Sequence, residues 1–119
     1  MKKNNIYIPP YFDKNIGKKE LFILARAFYS ISGWTKNGDK FQEWNLNSLN
    51  ISLVNDIGKA NILIIPYSIN YYFKNKMMGE IFYYNMLCEK YNLKGFGFIS
   101  GDSGIKYQEY AKIKYFRMG

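Results

Sequence analysis

The chain contains no histidine and only one cysteine, Cys88, among its 119 residues. The lack of histidine excludes histidine-ligated metal sites and catalysis by Ser-His or Cys-His pairs. A single cysteine cannot form an internal disulfide, which favours a reducing compartment. No apolar run approaches the roughly 20 residues of a membrane-spanning helix. No signal-peptide apolar stretch follows Lys2 and Lys3, so we expect a cytoplasmic protein, with association with the inner face of the membrane left open.

Acidic residues are scarce: nine Asp and Glu stand against 17 Lys and Arg, and the net charge is +8. This surplus favours an anionic partner such as a nucleic acid, a phosphorylated sugar or a membrane surface. Arginine, the residue most used for specific contacts with nucleic-acid bases, occurs only at Arg26 and Arg117. The lysines are scattered in singles and pairs, so solvated surface lysines are the simpler interpretation and nucleic acid is the less favoured partner.

The hydrophobic pattern predicts a single α/β domain over residues 1–119. Hydrophobic residues make up 48% of the chain, enough to build a packed core. The alternation of strand and helix patterns favours a three-layer sandwich, Rossmann-like or flavodoxin-like, around a mainly parallel sheet. The predicted strands are 5–8, 50–53, 61–65, 96–99 and 112–116, the predicted helices are 18–31 and 75–91, and a turn or one short helical turn is predicted at 55–58.

Two polar loops follow the strands predicted at 61–65 and 96–99, at the carboxyl edge where open α/β sheets bind ligands. The second loop, SGDSG at 100–104, contains Gly101, Asp102 and Ser103. Its glycines permit positive φ, so successive amides can line a concavity for an anion or a sugar hydroxyl. The alternative is a tight turn of common turn residues. The loop matches neither G-x-G-x-x-G nor a P-loop.

The first loop, PYSINYY at 66–72, clusters Asn70, Tyr71 and Tyr72 directly after a central strand. Tyrosine rings stack on sugar faces, while their hydroxyls and the asparagine amide make directional hydrogen bonds. In the alternative interpretation, the tyrosines close the rim of the core and Asn70 caps the next helix.

Two other residues carry reactive groups that structural roles explain better. Asp56 is a candidate general base, but its place in a turn favours a capping role. Cys88 belongs to the apolar face of the second helix and is interpreted as an inert, buried thiol.

The order of these motifs resembles the N-terminal half of bacterial exostosin-like glycosyltransferases. The resemblance covers roughly residues 53–119, and in it a proline-ended strand leads to an N-Y-Y loop, a helix, a G-D-x-G loop and a terminal F-R. Ile69 replaces the tryptophan of the pattern and Ser100 its first glycine. The matching residues are Pro66, Asn70, Tyr71, Tyr72, Gly101, Asp102, Gly104, Phe116 and Arg117.

The resemblance implies a two-domain GT-B enzyme that inverts configuration at a sugar without a bound metal. In such an enzyme the N-terminal domain holds the glycan acceptor and a second domain binds the nucleotide-sugar donor. This chain would then bind no cofactor itself and would be incomplete alone. The resemblance makes Asp102 the candidate catalytic base or acceptor contact, and Arg117 a contact for a phosphate or carboxylated sugar. Candidate acceptor-binding residues are Asn70, Tyr71, Tyr72, Gly101 and Ser103.

Two other functions are compatible with the sequence. A stand-alone flavodoxin-like module could bind a ligand or a protein at the same carboxyl edge without catalysis. A basic nucleic-acid-binding domain would instead use the positive charge.

Overall fold

A computed structural model of the chain describes residues 4–10, 20–30, 33–35, 51–101 and 106–118. Within these ranges the helices are α1 (Ile23–Arg26), α2 (Ile69–Lys74) and α3 (Met78–Tyr91), with a 3-10 turn at Ile57–Lys59. The strands are β1 (Asn4–Tyr7), β2 (Tyr29–Ser30), β3 (Gly33–Trp34), β4 (Ile51–Leu53), β5 (Ile62–Ile64), β6 (Lys94–Ser100) and β7 (Ile113–Met118).

Five of the strands form one parallel sheet in the order β4-β1-β5-β6-β7. The remaining two, β2 and β3, pair as a short antiparallel hairpin. Numbered only by the strands of the large sheet, the order is 2-1-3-4-5, the order of flavodoxin-like folds. The predicted α/β fold with a parallel sheet is therefore confirmed.

The sheet is covered on both faces, and the alternation of residues in β6 reveals the two layers. On one face, a Cβ atom on Gly95 would lie 3.0 Å from Cys88 Sγ of α3, and one on Gly97 would lie 3.1 Å from Ile69 of α2. On the other face, the ring centroid of Phe98 lies 5.0 Å from that of Phe22, which precedes α1. Because Gly95 and Gly97 have no side chains, α3 and α2 can pack close to β6.

The first predicted helix is much shorter than expected. Residues 18–31 have helical spacing, but α1 spans only Ile23–Arg26, and after a turn of two residues the chain enters β2. The cause is a tertiary contact: Leu21 forms an antiparallel bridge with Tyr67, and the amide of Phe22 donates to the carbonyl of Pro66 over 2.7 Å. This pairing holds residues 21–22 extended, so the helix begins late.

The second half of the chain follows the prediction more closely. Strands β5, β6 and β7 begin and end within two residues of their predicted bounds. Helix α3 ends at Tyr91, as predicted, and Asn92 after it takes the left-handed conformation of a C-terminal stop. The turn at 55–58 is also confirmed, since Asp56 accepts a hydrogen bond from the amide of Gly58 and caps the 3-10 turn. The segment 66–72 is not wholly a loop, because α2 begins at Ile69.

The longest helix in the described ranges, α3, has 14 residues. No helix in this part of the chain is both long and apolar enough to span a membrane.

Candidate functional site at the carboxyl edge of the sheet

The segment after β5 is held in place by the residues before α1. The amide of Ser68 donates to the carbonyl of Glu20 over 2.6 Å, and the Ser68 hydroxyl donates to the Glu20 carboxylate. The same hydroxyl accepts from the amide of Tyr71 at 3.1 Å, which makes Ser68 the N-cap of α2. The capping role considered for Asn70 therefore belongs to Ser68.

Asn70 instead joins the two predicted loops. Its Nδ2 donates to the carbonyl of Ser100 over 2.9 Å, and the amide of Ser100 donates to its Oδ1 over 2.8 Å. These two bonds fasten the first turn of α2 to the carboxyl end of β6. The segment after β5 and the end of β6, which the sequence analysis singled out separately, thus lie side by side.

The other predicted site residues fall into three groups. Tyr71 is half-buried beside Asn70, whereas Tyr72 is completely buried in the core. Gly101 is exposed with φ +74°, the positive φ expected of this loop. Arg117 is exposed near the end of β7 and pairs in register with Ile99. Asp102, Ser103 and Gly104 lie outside the described residues.

Trp34 contributes a large aromatic side chain to the same edge. Its indole Nε1 donates to the carbonyl of Pro9, two residues after the end of β1, over 3.2 Å. Its ring centroid lies 6.4 Å from that of Tyr67, three residues after the end of β5, and the Tyr67 ring lies 5.2 Å from that of Tyr71. A row of three aromatic rings therefore extends from Trp34 to α2. The sequence signal for it was a tryptophan within an otherwise polar, glycine-punctuated connection.

An open cleft of about 440 Å³ lies beside Trp34. It is formed where β1 and β4 end, and its lining combines aromatic faces with amide and backbone groups. A volume of this size falls within the usual range of small-molecule sites. The lining residues are Tyr7, Ile8, Pro10, Gly33, Trp34, Leu53, Val54 and Asn55.

A larger groove, of about 650 Å³, lies at the amino edge of the sheet and is lined by Lys94, Lys112 and Lys114 among others. All three lysines are exposed. Ligands of open α/β sheets bind at the carboxyl edge, so size alone does not make this groove the functional site.

The phenols near the carboxyl edge are hydrogen-bonding groups and not bases. Burial raises the pKa of Tyr7, and the neighbouring Tyr83 and Tyr91 phenols raise it further. The pKa of Tyr72 is raised well above its ordinary value, again first by burial and then by Tyr84. These hydroxyls therefore keep their protons at neutral pH.

Groups for nucleophilic or metal chemistry are few. Burial raises the pKa of the Cys88 thiol to about 11, so the thiolate needed for reaction is rare at neutral pH. Among the described residues, no cluster of three or more Asp, Glu or Cys side chains is arranged to hold a metal ion. The described residues at this edge offer aromatic rings for stacking and amide and backbone groups for hydrogen bonding.

In comparisons with known proteins, no protein-family model, curated protein or solved structure matches the chain.

Proposed function

We propose that this chain is the acceptor-side domain of an inverting, metal-independent glycosyltransferase of the exostosin-like type, and that it binds a glycan at the carboxyl edge of its sheet. The observation that carries the proposal is the pair of hydrogen bonds between Asn70 and Ser100, which brings the two loops of the resemblance together. An acceptor site requires both loops to face one ligand.

The neighbouring surface suits a sugar. Carbohydrate rings present apolar faces that stack on aromatic side chains and hydroxyls that need directional partners. Trp34 and Tyr7 supply half-buried rings at the cleft, and Asn55 supplies an exposed amide beside them. The cleft is open to solvent, so a glycan longer than the cleft would extend beyond it.

In this proposal, inverting transfer needs a base that removes the proton of the acceptor hydroxyl. Asp102 is the candidate because it follows Gly101 on the loop that Asn70 fastens. The donor, a nucleotide sugar, would be held by a second domain, and Arg117 would meet a phosphate or a carboxylated sugar. The chain alone is then expected to bind acceptor without turnover.

A second candidate function is a flavodoxin-like binding module without catalysis. The strand order 2-1-3-4-5 favours it, because proteins with this order bind ligands between the first and third sheet strands. Here those strands are β1 and β5. The residues after β1 are Ile8, Pro9 and Pro10, which offer no hydroxyl for a phosphate.

The two candidates are separated by ligand binding to the purified chain. Saturation-transfer NMR with a panel of neutral and acidic oligosaccharides is compared with titration of flavin mononucleotide. We expect glycan binding that Trp34→Ala weakens by about tenfold. The matched control, Phe82→Ser, removes an exposed aromatic ring of α3 that packs against Tyr110, on the β7 side of the sheet and away from the cleft, and should leave binding unchanged. Flavin binding without glycan binding would establish the second candidate and reject the first.

A further inference from the structure

The groove at the amino edge of the sheet, which we call the amino-edge groove, brings together lysines that are separate in the sequence. Lys94 begins β6, whereas Lys112 directly precedes β7 and Lys114 lies within it. The two strands pair in parallel from Gly95 and Ile113 onward, so the three lysines lie at the same end of the strand pair. All three line the groove and all three are exposed.

The described lining of the groove is cationic and otherwise neutral. Besides the lysines it includes three asparagines and no acidic residue; the asparagines are Asn4, Asn61 and Asn92. Lysine ammonium groups attract the oxygen atoms of an anion, and asparagine amides donate hydrogen bonds to the same kind of atom. The volume of about 650 Å³ falls within the usual range of ligand sites. The lining therefore favours a ligand that carries phosphate groups.

Aromatic rings lie beside the lysines on the same face of the sheet. Side chains alternate along β6, so Phe96 shares a face with Lys94, and the register with β7 adds Lys114 and Phe116 to that face. The Phe96 and Phe116 rings stack, with centroids 5.8 Å apart and planes inclined by 26°. Lys114 Nζ lies 5.6 Å from the Phe116 centroid. Phe96 is half-buried in the lining of the groove, and Phe116 next to it is 40% exposed.

Lysines beside an exposed aromatic ring match the chemistry of single-stranded nucleic acid. Such a strand presents phosphates together with the flat faces of unpaired bases, and proteins bind it in positively charged grooves that contain aromatic side chains. We propose that the amino-edge groove binds single-stranded nucleic acid without sequence preference. Its phosphates contact Lys94, Lys112 and Lys114, and a base stacks on the exposed ring of Phe116.

The scarcity of arginine is compatible with this mode of binding. Arginine is the residue of choice where base edges are read by paired hydrogen bonds, whereas lysine acts on phosphates as a point charge. The aromatic pair also favours a single strand over a duplex, because the base faces of a duplex are stacked inside the helix. A polyanion without bases, such as inorganic polyphosphate, would use the lysines and gain nothing from the ring of Phe116.

Fluorescence anisotropy tests the lysines. A labelled oligodeoxythymidine of about 12 nucleotides is titrated with the full chain at several salt concentrations. Contact with three phosphates predicts that the logarithm of the binding constant falls against the logarithm of the salt concentration with a slope of about −2. Lys94→Ala, Lys112→Ala and Lys114→Ala should each reduce the steepness of this slope by about 0.7. The matched control is Lys74→Ala, which removes an exposed lysine of α2 on the opposite face of the sheet and should change nothing.

A second pair of variants tests the stacking. Phe116→Leu keeps an apolar side chain but removes the planar ring, so it should weaken binding of the oligonucleotide by about fivefold or more. Binding of inorganic polyphosphate should not change in this variant. Phe73→Leu removes a similarly exposed ring from α2 and is the matched control. Thermal unfolding of each variant ensures that the chain is folded during the measurement.

Three results would overturn the inference. The first is the absence of binding to the oligonucleotide. The second is binding that Phe116→Leu does not weaken, which would show a charged surface that holds any polyanion. The third is a mononucleotide that binds as tightly as the oligonucleotide, which would assign the groove to a free nucleotide. The groove and the cleft beside Trp34 lie at opposite edges of the sheet, so Trp34→Ala should leave this binding unchanged and the inference is independent of the proposed glycan site.

Discussion

The side-chain amide of Asn70 makes hydrogen bonds with both the backbone N–H and the backbone carbonyl of Ser100, thirty residues away in sequence. The contact acts as a one-residue extension of the sheet, since a side chain supplies the donor and the acceptor that a neighbouring strand would otherwise supply. It places the start of α2 beside the end of β6 without any further backbone pairing.

Replacing Asn70 by alanine should lower the free energy of unfolding by about 2 kcal/mol, because two hydrogen bonds are lost and the Ser100 peptide is left unpaired. Urea denaturation measures the loss. Asn75→Ala is the matched control: Asn75 makes one exposed side-chain bond, to the carbonyl of Tyr71, and its loss should cost less than half as much. Equal effects of the two substitutions would show that the contact with Ser100 adds nothing particular.

Alanine at Gly95 should destabilise the protein by about 1 to 3 kcal/mol through overpacking. Its Cβ would lie 2.9 Å from Ile113 Cγ1, 3.0 Å from Cys88 Sγ and 3.1 Å from the carbonyl oxygen of Lys112. Gly79→Ala provides the contrast, because this glycine is in α3 and a Cβ there meets nothing within 4 Å. That substitution should stabilise by up to about 1 kcal/mol. Thermal unfolding of Gly95→Ala and Gly79→Ala tests the expected decrease and the expected increase in stability together.

The protein should lose stability as the pH rises above the ordinary thiol range toward 11. The pKa of Cys88 is raised to about 11 in the folded chain, so the unfolded chain loses the proton first and alkaline conditions favour it. Cys88→Ala should make the loss of stability with pH less steep, as urea unfolding at stepped pH would measure. Some slope should remain, because burial also raises the pKa of Tyr72 and Tyr84. An unchanged slope in the variant would contradict the assignment.

Removing the hydroxyl of Tyr72 should not destabilise the protein. This oxygen is buried and meets no hydrogen-bond partner in good geometry among the described residues, although the Tyr84 phenol is close enough to raise its pKa. Tyr72→Phe is expected to raise the free energy of unfolding by about 1 kcal/mol, since no desolvated polar group remains. Tyr115→Phe is the control with the opposite sign, because the Tyr115 hydroxyl donates to the carbonyl of Gln108 over 2.6 Å. A loss of stability in Tyr72→Phe would reveal an unseen partner.

The parts of the fold that could be predicted are those fixed by local pattern. Strand β5 is a continuous apolar run between Asn61 and Pro66, and α3 repeats its buried residues at helical intervals, so neither needs a distant partner to be recognised. The start of α1 depends on the bridge between Leu21 and Tyr67, a contact across 46 residues that no local window contains. Helical spacing in 18–31 therefore predicted the wrong length.

The same distinction applies to the candidate site. Asn70 and Gly101 could be singled out from residue type and position after a strand. The hydrogen bonds between the Asn70 amide and Ser100 could not be predicted, because they depend on how far α2 lies from β6. The strand order could not be predicted from the sequence either, since a right-handed crossover can place β4 on either side of β1.

The indole of Trp34 reaches from the end of β1 to the end of β5, where folds of this strand order usually hold their ligand. The Trp34 side chain therefore fills part of the crevice between the ends of β1 and β5. A ligand that competes for the crevice must first displace the indole and break its hydrogen bond to Pro9, which lowers the apparent affinity by about tenfold. A ligand in the cleft at the ends of β1 and β4 incurs no such penalty and would contact the same indole ring. Trp34 therefore favours ligands that stack on its ring in the cleft and disfavours ligands that insert between the ends of β1 and β5.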